Sequence, residues 1–239
     1  MYFVKFVRII LNIFDYFQQK KIIKLLKDKF KSFPVIIDVG AHHGETIKLF
    51  DNNFKMEKIY SFEASPTNFE VLKKQISERE FNKKYEIYNF GIGEKQTNGF
   101  INQTKESSSS TINEINLNSK YLKRKLRVLN IRENEIYYKK IPIKIITLDE
   151  FINKNKINNI DLLKIDTEGY ELNVLKGLTE NHKLIKLIYF EHHYDDMIKK
   201  KYKFGDIHNL LISYNFKNIY KIKMVFRKSF EYIYENQNI

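Results

Sequence analysis

Cysteine is absent from this 239-residue chain, and proline and glycine are scarce, at three and eight residues. Without a thiol there is no disulfide framework, cysteine-ligated zinc, iron–sulfur cluster or thiol nucleophile. So little proline and glycine excludes a collagen-like or linker-dominated chain. Arginine is also scarce. Of 42 basic residues only Arg8, Arg79, Arg124, Arg127, Arg132 and Arg227 are arginine, against a formal net charge of +13. Nucleic-acid recognition favours clustered arginine for its bidentate contacts. A basic balance carried by dispersed lysine therefore reads as a solvated surface, and nucleic acid is not the expected partner. No apolar run reaches the roughly 18–20 residues of a membrane span. Residues 1–30 come nearest, but Lys5, Arg8 and Asp15 interrupt them and no small-residue cleavage site follows. They read as amphipathic helix packing on the domain, with an interfacial position on a membrane as the alternative. The expected location is cytoplasmic, with peripheral contact at the inner membrane surface as its variant.

What is present is a core: 43% hydrophobic and 15% aromatic residues in a length suited to one large domain. Residues 1–33 form a helical extension and 34–239 the domain. From Pro34 onward short apolar runs alternate with amphipathic stretches, the pattern of an α/β domain with a largely parallel sheet. Strands are expected at Val35–Val39, Lys58–Phe62, Tyr85–Phe90, Ile141–Ile146, Asp161–Ile165, Leu187–Phe190, Phe216–Tyr220 and Phe230–Tyr234. Helices are expected to start near Glu45 and to span Thr67–Arg79, Leu148–Lys154, Glu171–Lys176 and Phe204–Tyr214. Ser65-Pro66-Thr67 supplies a helix start, since proline presets φ and a hydroxyl accepts from the first turn. The polar stretch from about 96 to 140 reads as an inserted lid with one or two short helices and no second core.

In an open α/β sheet, ligands bind beyond the carboxyl ends of the strands. Those ends read Asp38-Val39-Gly40-Ala41-His42-His43-Gly44, Glu63-Ala64-Ser65-Pro66, Gly91-Ile92-Gly93, Asp166-Thr167-Glu168-Gly169 and Glu191-His192-His193. Four of the six histidines fall there. The glycine turn lets a ligand approach the backbone, though only Gly40 and Gly44 of a full dinucleotide fingerprint are present. Glu63, at the tip of the second strand, is placed to accept hydrogen bonds from both hydroxyls of a ribose, which favours an adenosine-containing cofactor. His192 or His193 has the proton affinity to accept a hydroxyl proton near pH 7. Glu191, His192, Asp166 and Glu168 offer an alternative role as oxygen and imidazole ligands of a divalent metal, which is not favoured.

The segments VIIDVGAHHGET, FEASPTNF, ITLDEF and above all IDLLKIDTEGYELNVLKG resemble the FkbM-type family of S-adenosylmethionine-dependent methyltransferases. The resemblance spans residues 34–193. It departs from the family at His42 or His43, where asparagine is common, and at Ala64, where proline is usual. It implies a Rossmann-like class I methyltransferase fold, a seven-stranded, mostly parallel sheet flanked by helices. By that resemblance Asp38, Gly40, Ala41, His42, His43 and Gly44 hold the amino-acid part of S-adenosylmethionine. Glu63 takes the ribose, while Ala64, Ser65, Ile92 and Gly93 flank the adenine. Asp166 and Glu168 face the methyl-transfer crevice, Asp166 also touching the cofactor, and Asp166 and His192 are the leading proton acceptors ahead of Glu168 and His193. The expected acceptor is a hydroxyl of a sugar, glycan or other secondary metabolite. An RNA methyltransferase and a non-catalytic, cofactor-binding partner subunit are the rival readings.

Overall fold

The computed structural model describes residues 17–77, 84–131, 137–225 and 227–239. Residues 1–16, the first half of the expected amphipathic extension, and the expected helix end at Arg79 lie outside them. Helical residues 17–29 (α1) precede β1 (Val35–Val39), α2 (Glu45–Asp51), β2 (Lys58–Phe62), α3 (Pro66–Ser77) and β3 (Tyr85–Tyr88). The middle of the chain forms β4 (Gly91–Ile92), β5 (Thr97–Thr104), β6 (Glu114–Ile115), α4 (Lys120–Val128) and β7 (Tyr138–Ile146). Then follow α5 (Leu148–Lys154), β8 (Ile160–Ile165), α6 (Glu171–Lys176), β9 (Ile185–His193) and β10 (Ile198–Lys199). The chain closes with α7 (Phe204–Ser213), β11 (Phe216–Lys223) and β12 (Ser229–Asn236).

Seven strands form the main sheet in the order β11-β12-β9-β8-β1-β2-β3. Pairing is parallel from β3 through β9 and antiparallel at β9–β12 and β12–β11. This is the Rossmann-like arrangement the motifs imply. Strand order reverses between β1 and β8, so their carboxyl ends open the crevice. Both faces of the sheet are buried, which is why β8 reads as a nearly continuous branched run. On one face Ile36, Ile59, Leu162 and Leu187 meet Ile22 and Leu26 of α1, Phe33, and Phe50 of α2. On the other Ile37, Leu163, Ile188 and Phe190 meet Val174 and Leu175 of α6 and Ile207 and Leu211 of α7. Each such large side chain contributes about 1.5–3 kcal/mol on burial. Among the described residues no helix is long and apolar enough to cross a membrane.

Two expectations need correction. The stretch from 96 to 140 is not a coreless lid. It opens with β5, which pairs antiparallel with β7 from Thr97↔Ile145 to Thr104↔Tyr138, and β4 pairs with β7 on its other edge. This second, three-stranded sheet packs Ile101, Ile143 and Ile145 together. Beyond it, Ile115, Leu122, Leu126 and Tyr137 share a core with Met197 and Ile198. Two of its six buried residues, Met197 and Ile198, come from beyond β9, so local periodicity does not betray it. Second, β9 does not end at Phe190. Antiparallel pairing with β12 carries it on, with Phe230 opposite His192 and Ser229 opposite His193, so these histidines lie within a strand and alternate between faces.

The end of α6 packs tightly against the turn after β4 at Gly177. Its φ suits any residue, but a Cβ there would stand 2.1 Å from the Gly93 carbonyl oxygen. Gly177→Ala should therefore lower stability by about 2 kcal/mol or more. Gly205→Ala, in α7 with no atom within 4 Å, should stay within about 0.5 kcal/mol of the unaltered protein. Urea unfolding of both variants, compared at equal m-value, checks the contrast.

Candidate active site

The crevice between β1 and β8 encloses about 530 Å³, counting its open mouth. Gly40 sets its floor. With φ +90 it occupies a region that suits glycine, and a Cβ would fall 1.9 Å from the Asp166 carbonyl oxygen. The Gly40 and Ala41 N–H groups both donate to the Phe62 carbonyl at 2.9 Å, which draws the tips of β1 and β2 together.

Of the predicted site residues, Gly40, His42, Glu63, Ala64, Ile92, Asp166 and Glu168 line the crevice. Asp38 lies fully buried in β1, and neither carboxylate oxygen has a partner within hydrogen-bond geometry. Burial pushes its pKa up to about 6, and nearby Lys164 restrains the rise. Glu63 is also buried and is pushed up to about 7 by burial, though it accepts the backbone N–H groups of Ser65 and His42, each at 2.8 Å. Ala41 packs into the core beneath α1, and Gly44, with φ +92, meets Leu72. Ser65 caps α3 by accepting from the Asn68 N–H at 3.2 Å and donates to Gln103. Gly93 is wedged against Ile145 and Tyr170. These four support the crevice without lining it.

His42 and His43 stack with ring centroids 3.7 Å apart. His42 contacts Glu45 at 3.1 Å and Ser107 at 2.8 Å through its two ring nitrogens. Burial opposes its charge, yet the Glu45 carboxylate wins and raises its pKa. His43 is lowered by burial and by His42. Among the described residues, His42, His43 and Glu45 are the one group whose ligand atoms, within 4.8 Å of one another, are spaced for a metal. The stacked rings put their lone pairs in separate planes, a poor start for joint coordination. The quartet Glu191, His192, Asp166 and Glu168 does not assemble as ligands, because His192 lies apart.

The far wall is the turn after β8. Asp166 Oδ2 receives the Lys164 ammonium at 2.9 Å. Burial would raise the Asp166 pKa, but Lys164 outweighs it and the pKa falls. Glu168 adopts φ +50 and Gly169 φ +92. A left-handed non-glycine residue costs roughly 1–2 kcal/mol and is held only where its surroundings demand it. The demand is visible: Glu171 accepts the Gly169 N–H at 2.8 Å, and Thr111 Oγ1 donates to the Glu168 carbonyl at 2.8 Å. Burial pushes the Glu168 carboxyl up to about 7, with His193 opposing. His193 Nε2 lies 3.5 Å from Glu168 and 3.6 Å from Glu191, and its Nδ1 lies 3.6 Å from Asp195. Against the cost of burial, these acids push its pKa up to about 10. His192 faces the other side of the sheet among Tyr194, Tyr202 and Phe204, and burial lowers it to about 4. Neither histidine lines the crevice, so the placement of His192 as a leading proton acceptor is not supported by its position.

Several lining residues escaped the sequence reading: Asn68, Phe90, Ile101, and above all Ser107, Ser108, Ser110 and Thr111 from the insertion. Four consecutive serines stand at 107–110, but nothing local to them says that the run folds back over His42 and Glu168. Buried Lys164 was likewise passed over as part of a strand.

A model of the methyltransferase FkbM domain matches residues 38–218. The chain belongs to the FkbM family of S-adenosylmethionine-dependent methyltransferases. Its fold is that of a crystal structure of methyltransferase FkbM from Methylobacillus flagellatus KT, with TM-score 0.54 and 16% identity. That alignment covers 85% of this chain and 44% of the other, so the chain spans less than half of that FkbM protein's length. The magnesium protoporphyrin IX methyltransferase ChlM of Synechocystis PCC 6803, solved with bound SAM, aligns at TM-score 0.52 and 8% identity, over 94% of this chain and 81% of its own. M. capricolum TrmK, solved with S-adenosyl-homocysteine, aligns at TM-score 0.51 and 14% identity, over 90% of this chain and 67% of its own. No curated protein matches the chain.

The FkbM-type domain carries a stability cost at the Asp38 carboxylate. An acid whose folded pKa lies above its unfolded value destabilises the fold once it ionises, so the penalty grows from pH 4 through about 6. Asp38→Asn should therefore stabilise the ligand-free protein by up to about 3 kcal/mol at pH 8 and by little at pH 4. Denaturant unfolding at the two pH values measures the difference.

Proposed function

We propose that this FkbM-type domain binds S-adenosylmethionine and transfers its methyl group to a hydroxyl of a sugar, glycan or other small metabolite. The observation that carries the cofactor is Asp38, two residues before the Gly40 turn, a fully buried carboxylate behind the crevice lining whose two oxygens have no partner in hydrogen-bond geometry. A ligand ammonium group supplies donors to those oxygens and adds its charge to that of nearby Lys164. Glu63 keeps acceptor capacity beyond its two backbone donors and suits a ribose diol. Phe90, Ile92, Ala64 and Ile101 provide an apolar wall for a purine. When bound, the cofactor supplies an electrophilic methyl group, and the protein's task is to align an acceptor oxygen and take its proton.

The remaining wall favours a polyol acceptor. Ser108, Ser110 and Thr111 bring hydroxyls to the crevice, and Asp166 and Glu168 bring carboxylates. Apart from His42, which stacks on His43, the aromatic rings that line it, Phe62 and Phe90, lie 5.4 Å apart beside Glu63. A flipped nucleobase would need a stacking ring on the opposite side.

Isothermal calorimetry should show S-adenosylhomocysteine binding to the folded protein, and heat absent at millimolar ligand would remove the reading. Glu63→Ala should weaken binding about 10- to 100-fold, the loss of charge-assisted hydrogen bonds. Because Glu63 accepts both hydroxyls only when ionised, affinity should also fall as the pH drops below about 7. Transfer of labelled methyl from S-adenosylmethionine into separate glycan and RNA fractions of a lysate distinguishes the acceptor class.

A further inference from the structure

We propose that Glu168 is the general base of methyl transfer, and that His193, clamped by Glu191 and Asp195, is the positioning residue that fixes the place and charge of its carboxylate. The inference rests on the proposed reaction and names the group that takes the proton. Four polar residues compete for the role, and geometry separates them. Asp166 lines the crevice but is committed to Lys164 at 2.9 Å. His192 stands on the opposite face of β9 among aromatic rings. His193 does not line the crevice, and three carboxylates surround it, so it has no vacant site for a proton. Glu168 lines the crevice, keeps 17% of its side chain exposed, sits in a left-handed conformation that the insertion and Glu171 hold in place, and turns its buried Oε2 toward His193 Nε2 at 3.5 Å.

With Oε2 held by His193, the other carboxylate oxygen is the one an incoming hydroxyl can use. The acceptor oxygen forms its new bond to the methyl carbon as the carbon–sulfur bond breaks, and that electron pair returns to the sulfonium sulfur. The hydroxyl proton passes to Glu168, which then releases it to solvent through the crevice mouth. The sulfonium loses its positive charge as the carboxylate loses its negative one, so the site ends no more charged than it began. A base that titrates near neutrality combines availability with driving force, and burial places Glu168 there.

The groups that face Glu168 and His193 come from every neighbouring element. His193 and Glu191 stand on β9 and Asp166 ends β8, while Glu171 opens α6. Lys125 and Tyr121 reach in from α4, Tyr137 from the start of β7, and Asp195 and Lys200 from the segment after β9. The positive charge of His193 is the largest influence that opposes burial and keeps Glu168 from binding a proton too tightly. Its loss should raise the Glu168 pKa.

The experiment measures methyl transfer from labelled S-adenosylmethionine into the lysate glycan fraction between pH 5.5 and 9, alongside S-adenosylhomocysteine affinity. Glu168→Gln should lower kcat about 100-fold or more while the affinity stays within about threefold, which also certifies the fold. If Glu168→Gln does not fold, Glu168→Asp takes its place and is read by the same pH profile. In the unaltered protein the rate should rise with pH through a midpoint near 7. His193→Gln should move that midpoint upward, an effect that a packing role would not produce. Full activity in Glu168→Gln, or a midpoint unmoved in His193→Gln, overturns the proposal. If no glycan is labelled by the unaltered protein, the proposed acceptor fails. The pair is then decided by carbon-13 NMR titration of the Glu168 carboxyl in the S-adenosylhomocysteine complex. A midpoint near 7 that rises in His193→Gln sustains the proposal, and one in the ordinary carboxylate range overturns it.

Discussion

The contact on which the site depends is the one between Gly40 and the Asp166 carbonyl. No side chain larger than hydrogen fits there, since a Cβ would lie 1.9 Å from the oxygen. The tips of β1 and β8 therefore meet backbone to backbone at the point where strand order reverses. Asp38, Gly40 and Glu63 fall on one side of that contact and Asp166 and Glu168 on the other. The floor of the crevice is thus built from main chain, which cannot change rotamer.

Around this floor the fold distributes charge unevenly, and the unevenness assigns roles. Lys164 is a buried cation held to Asp166 at 2.9 Å, close enough to Asp38 and Glu231 for all three acids to favour its charge. Asp166 is consequently a committed counter-ion, whereas Glu168, two residues on, is pushed up to about 7 by burial, with His193 as the main opposing charge. The adjacent histidines diverge for the same reason. His193 faces carboxylates and binds its proton tightly, while His192 faces aromatic rings and binds one weakly. Neighbours in sequence thus acquire opposite acid–base properties from the side of the sheet they occupy.

The insertion completes the crevice instead of merely covering it. The antiparallel β5–β7 pair anchors it, and Thr111 and Asn113 pin it to the carbonyls of Glu168 and Gly169. Ser107 reaches His42 at 2.8 Å on the opposite wall. One polar loop, itself left-handed at Ser107, therefore bridges the two halves of the site and holds the left-handed residues His42 and Glu168 near their working positions.

The sequence by itself determined the alternation of strands and helices, the glycine turn, the acid at the tip of β2 and the family motif around β8. Each is written in local periodicity or in contiguous residues, where a short window holds the whole signal. Tertiary structure decided what depends on distant pairing. The extension of β9 through His192 and His193 comes from β12, and that pairing alone determines which histidine faces Glu168. The strand character of Thr97–Thr104 comes from β7 across the insertion, and the small core beneath α4 borrows Met197 and Ile198 from beyond β9. Proton affinities were not legible at all, because burial and charge neighbours set them, and both arise only once the chain has folded.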